Sequence, residues 1–133
     1  MESLVETENN IKRKIEHIDI PFMKEWEIVI SGSDVKDVYG GQYETVAGIH
    51  IMMKDKNEWS TLTGVGFIKM MDFIENLIKS RNITTFTIDA CDEKRQRVFG
   101  KWALRKGCTT EKAIDFFNDE VEVFHTPDYI KNN

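Results

Sequence analysis

Thr61-Leu62-Thr63-Gly64-Val65-Gly66-Phe67-Ile68-Lys69-Met70-Met71-Asp72-Phe73-Ile74-Glu75-Asn76-Leu77-Ile78 is the stretch on which the reading of the fold turns. Phe67, Met70, Met71, Ile74, Leu77 and Ile78 recur at helical spacing and put one apolar face on a helix. Methionine at such positions reads as core filler. Thr61 to Gly66 reads as a turn entering that helix, and Arg81-Asn82 reads as its stop. Before it, Val46 to Met53 reads as a strand; after it, Ile83 to Ala90, rich in β-branched and aromatic residues, reads as a central one. The crossover from Ile49 through the helix to Phe86 is long enough to join parallel strands, so a mixed sheet is expected.

Towards the N-terminus, Ile11, Ile15 and Ile18 recur among polar residues, which predicts an amphipathic helix over 3–18 that Pro21 ends. Trp26 to Ile30 alternates as a half-buried strand does, and Ser31-Gly32-Ser33-Asp34 carries turn chemistry. Asp34 to Glu44, with Gly40-Gly41, predicts a mobile loop between antiparallel strands. Towards the C-terminus, Asp92 is a cap for a helix that buries Val98, Phe99 and Trp102, and Gly107 is its C-cap glycine. Ile114 to Phe117 and Glu120 to His125 then read as a hairpin turning at Asn118-Asp119.

With 133 residues, 41% hydrophobic and 31% charged, the chain has the composition and size of one globular α/β domain. No leader or membrane-length apolar run is visible, which predicts a cytoplasmic protein with no membrane partner. Cys91 and Cys108, with no CxxC spacing and no nearby pair of histidines, argue for structural thiols and against a metal. The net charge of -5 hides an asymmetry. Lys94, Arg95, Arg97, Lys101, Arg105 and Lys106 share a 13-residue window without an acid; the other 12 basic residues face 23 acids, leaving -11 elsewhere. So small a basic footprint disfavours nucleic acid. It suits a solvated face, an anion clamp formed by Lys94, Arg95, Arg97 and Lys101, or a dock for an acidic protein partner or self-association.

Thr63, Gly64, Val65 and Gly66, placed between a strand and a helix, would offer backbone N–H groups to a phosphate. Glu27, His50 and Asp89 are the candidates for a catalytic base, because strand alternation could aim them into a cleft.

From Val46 to His125 the order strand, Gly-x-Gly turn, helix, strand, helix, hairpin resembles the core of the GNAT acyltransferases. That resemblance implies a mostly antiparallel sheet flanked by helices. It also implies that Gly64-Val65-Gly66 binds the pyrophosphate of acetyl-CoA or another acyl-CoA, and that the chain is an N-acyltransferase. Two positions depart from the pattern: Thr61 replaces a usual Gln or Arg, and Phe99 stands where the family commonly has a proton-donating tyrosine. Arg95-Gln96-Arg97-Val98-Phe99 is similar to small GNAT-like proteins encoded by bacteriophages. The alternative expectation is therefore a non-catalytic interaction protein that uses the basic helix 93–106.

Overall fold

The computed structural model describes residues 15–37, 41–54, 64–90 and 93–127. In chain order the elements are β1 (Glu16–Asp19), β2 (Trp26–Asp37), β3 (Glu44–Met53), α1 (Gly64–Ser80), β4 (Thr85–Asp89), α2 (Glu93–Arg105), β5 (Thr109–Asp115) and β6 (Glu120–His125).

Hydrogen bonding runs β2-β3-β4-β6-β5 and returns to β2, where Val35, Lys36 and Asp37 pair with Asp115, Ile114 and Ala113. Five strands thus close into a barrel, and β1 adds to the outer part of β2. The expected parallel crossover is present, with Ile49 opposite Ile88 across β3 and β4; the other pairings are antiparallel.

Alternation along the strands separates two apolar groups. Ile28, Ile49, Ile51, Phe86, Ile88 and Phe124 belong to the larger core, with Met70, Ile74 and Leu77 of α1 and Phe99 and Trp102 of α2. The opposite, enclosed face carries a small plug of Val35, Val46, Ala113 and Val123. Phe99 is fully buried, its ring 4.9 Å from that of Phe67 and 6.4 Å from that of Trp102. It is a packing residue, so no proton donor is missing from an active site at that position.

Both helices stop as the sequence indicates. Asn82 adopts φ 53° where Ile83 N–H returns to the carbonyl of Ile78, and Gly107 adopts φ 92° where Cys108 N–H returns to Ala103. Asn118 turns the hairpin with φ 68°, although β5 begins five residues earlier than the sequence suggests.

The GNAT resemblance is overturned. A closed barrel with two helices among the described residues replaces an open sheet flanked by helices, and the acyltransferase reading built on that sheet falls with it. The closing contact lies in residues expected to be irregular. Ser31 to Asp34 pair with Gly48 to Thr45 inside one continuous β2 that runs on to Asp37, because ladder hydrogen bonds outweigh the turn propensity of small polar residues. The helix expected over 3–18 is corrected at its end, since Glu16 to Asp19 pair with Ile30 to Glu27 as β1; residues 3–14 lie outside the described ones. No described helix is long and apolar enough to cross a membrane.

Candidate functional site

The ring is incompletely zipped. β1 covers Glu27 to Ile30 on one edge of β2 and β5 covers Val35 to Asp37 on the same edge; β3 runs along the other. Beside the intervening stretch opens a cleft of about 800 Å³, floored by Ser33, Val35, His50 and Thr87 and walled by Asp89, Gln96 and the β5–β6 hairpin.

His50 is fixed from both sides. Its Nδ1 lies 3.3 Å from Oδ2 of Asp89, its partner in the β3–β4 ladder, and its Nε2 lies 3.3 Å from Oγ of Ser31. The carboxylate only accepts, so Nδ1–H donates to it, and the Ser31 hydroxyl is the hydrogen-bond partner of Nε2. Ser31 pairs with Gly48, two residues before His50, and the imidazole reaches across the space that Gly48 leaves. A Cβ there would stand 2.7 Å from Ser33 Oγ and 3.2 Å from His50 Nε2.

Gln96 ties α2 to the rim: its side-chain oxygen accepts from Ala90 N–H at 2.9 Å and its amide donates to the carbonyl of Ile88. Across the cleft the Asp115 carboxylate caps the hairpin turn, accepting from Phe117 N–H at 2.9 Å and Asp119 N–H at 2.8 Å. This turn leaves Phe116 69% and Phe117 80% exposed, and Tyr43 leans on Phe116 with ring centroids 5.9 Å apart.

Five carboxylates, from Asp34, Asp89, Asp115, Glu120 and Glu122, line the cleft, and none of the described lining residues is Lys or Arg. A low-dielectric concavity of one sign focuses its field on whatever enters. The arrangement suits a cation, with aromatic faces beside it.

A second hydroxyl–imidazole–carboxylate chain joins Thr85, His125 and Glu111: Thr85 Oγ1 lies 3.3 Å from His125 Nδ1, and His125 Nε2 lies 2.5 Å from Glu111. His125 is 6% exposed and faces Thr85 on β4 and Thr109 on β5, so this chain fastens three strands.

Of the sequence candidates, His50 and Asp89 are brought together at the cleft. Glu27 is not; it receives His17 Nδ1 at 3.3 Å near β1. Gly64, Val65 and Gly66 form the first turn of α1 instead of a turn before it, and Thr63 lies outside the described residues. Lys94, Arg97 and Lys101 are exposed on α2, Arg95 is half-buried, and none of the four lines the cleft. Burial pushes the Cys108 thiol up, away from a reactive thiolate. No group of three or more His, Cys, Asp or Glu suited to a metal occurs among the described residues.

Sequence reasoning missed Ser31, Ser33 and the acidic hairpin. The hairpin did carry a signal, because Phe116 and Phe117 are adjacent and two consecutive strand residues cannot both face one core. Comparison with known proteins finds no matching family model, curated protein or solved structure.

Proposed function

We propose that the chain is a binding protein whose cleft receives a positively charged segment of a partner protein. The observation that carries this is the lining itself: among the described residues five carboxylates and no Lys or Arg, with Glu120 paired to Lys112 at 3.8 Å, beside the outward-turned rings of Phe116 and Phe117. Exposed aromatic rings beside charge are the usual anchors of a protein interface. The Ser31–His50–Asp89 chain has the hydrogen-bond order of a nucleophilic serine site, but Ser31 does not line the cleft. Its role in this account is to hold the His50 ring towards the guest.

Calorimetry with a Lys- and Arg-containing peptide and with its Glu-containing counterpart tests the reading. The cationic peptide binds, more weakly as salt rises, and a D34N/D89N/E120Q variant loses about tenfold or more in affinity, about 1.4 kcal/mol. Equal binding of both peptides, or of neither, would refute it.

A second reading rests on the exposed basic stripe of Lys94, Arg97 and Lys101, spaced to share one helix face. It makes α2 the dock for an acidic partner or for a second copy of the chain. Reversal of all three to Glu then abolishes the complex in a pull-down or sedimentation experiment, whereas the cleft reading leaves it intact.

A further inference from the structure

The β5–β6 turn holds two aromatic rings on the wall of the cleft. The Asp115 carboxylate accepts from Phe117 N–H at 2.9 Å and from Asp119 N–H at 2.8 Å, which fixes the backbone that carries Phe116 and Phe117. Their rings stand 86° apart with centroids separated by 5.9 Å, so one compact group can touch the faces of both in the corner between them. Both rings line the cleft and both are largely exposed, so a guest can reach those faces. Tyr43 backs Phe116 at 5.9 Å, and its hydroxyl donates to the Asp115 carbonyl oxygen at 3.4 Å. The Lys36 ammonium stands 5.2 Å over the Tyr43 ring, so this cluster already receives one cation of the chain itself.

The carboxylates around the rings are engaged within the chain. Asp34 accepts from Thr45 Oγ1 and Glu122 from Thr110 Oγ1, both at 2.7 Å; Asp89 accepts from His50, and Glu120 pairs with Lys112. They give the cleft a negative field more than a set of waiting acceptors. A guest suited to field and rings together carries a positive charge, presents apolar surface and needs no hydrogen-bond acceptor. An ordinary lysine ammonium has three N–H donors to satisfy and gives up strong hydration to enter. A trimethylated one has no N–H. We propose that the cationic guest of the cleft is a lysine side chain trimethylated at its ε-nitrogen, carried by the partner segment and seated between Phe116 and Phe117. This rests on the cationic-cleft reading and specifies it.

The test is calorimetry of the full chain with three peptides identical but for one side chain: lysine, trimethyllysine, and the uncharged isostere in which carbon replaces the quaternary nitrogen. The trimethyllysine peptide should bind about tenfold more tightly than either of the others. A Phe116→Leu/Phe117→Leu variant, which keeps apolar bulk at two exposed positions, should lose that preference while still binding the lysine peptide. Equal affinity for lysine and trimethyllysine overturns the proposal and leaves the cationic cleft standing. Equal affinity for trimethyllysine and its uncharged isostere also overturns it, since the contact is then merely apolar. No binding of any of the three overturns both readings. Tetramethylammonium that displaces the peptide at the peptide's own dissociation constant would make a free small ion the guest, which overturns the assignment to a partner segment.

Discussion

Gly48 offers the sharpest perturbation of the site, because its role follows from space. It lacks the positive φ seen at Gly107, so an alanine is acceptable to its backbone. Its Cβ would crowd its neighbours: at 2.7 Å the Ser33 hydroxyl must rotate away and at 3.2 Å the His50 ring must give by a few tenths of an ångström, while the Ser31 carbonyl oxygen at 3.5 Å is an ordinary contact. Displacement of packed groups costs about 1–3 kcal/mol. Loss of the Ser31–His50 hydrogen bond adds about 0.5–1.5 kcal/mol. Restriction of the unfolded chain returns about 0.4–1 kcal/mol. Gly48→Ala is therefore expected to lose about 1–3 kcal/mol net, a fall on the order of 4 °C in melting temperature per kcal/mol. The control is Gly66→Ala in the first turn of α1, where among the described residues a Cβ would meet only Met23, at 3.7 Å, and the helix gains about 0.5–1 kcal/mol. Urea unfolding of the two variants, with the imidazole resonances of His50 followed by NMR, gives both readouts. A Gly48→Ala protein as stable as the parent, with His50 unmoved, would refute the packing described for the cleft.

Phe99→Tyr would restore the side chain that the acyltransferase resemblance expects, yet it places a hydroxyl in a fully buried site. The expected outcome is a loss of about 1–3 kcal/mol in chemical denaturation and no acetyl-CoA turnover. Glu75 joins α1 to Lys106 at 3.1 Å and to Lys79 at 3.3 Å. Partial burial pulls its carboxyl upward, but the hydrogen bonds from the two lysines outweigh this and hold it below the ordinary value. With the folded pKa depressed, the stabilisation is present above about pH 4.5 and fades as pH falls through the carboxylate range. The stability gap between the parent and Glu75→Gln should accordingly be about 0.5–1 kcal/mol at pH 7 and narrow as pH falls through and below the ordinary carboxylate range, as followed by urea unfolding at several pH values. A fluorophosphonate probe should leave Ser31 unmodified in intact-mass analysis, because His50 and not Ser31 faces the cleft.

Much of the second half of the chain was legible because its signals are local. The α1 stripe, the stops at Asn82 and Gly107, and the turn at Asn118 each follow from the residues present. The closure of the barrel was not legible. It depends on three residue pairs between Val35–Asp37 and Ala113–Asp115, almost 80 residues apart in sequence, within a segment whose Ser, Gly and Asp content mimics a turn. Small polar residues stand there because that part of β2 lines a cleft instead of a dry core. Likewise Ile18 kept a helical spacing with Ile11 and Ile15, but the ladder with β2 makes its segment a strand. Alternation did nominate His50 and Asp89, whose juxtaposition needs the parallel β3–β4 register that places them side by side. The same alternation nominated Glu27, which the register places beside β1.

The most direct test of the cleft as the binding site is a titration of the isotope-labelled full chain with the Lys- and Arg-containing peptide, followed by two-dimensional amide NMR. Shift changes concentrated at Ser31 to Asp34, His50, Asp89 and the hairpin from Asp115 to Glu122 are the predicted result. Changes centred on Lys94, Arg97 and Lys101 of α2, or spread evenly over the surface, would contradict it.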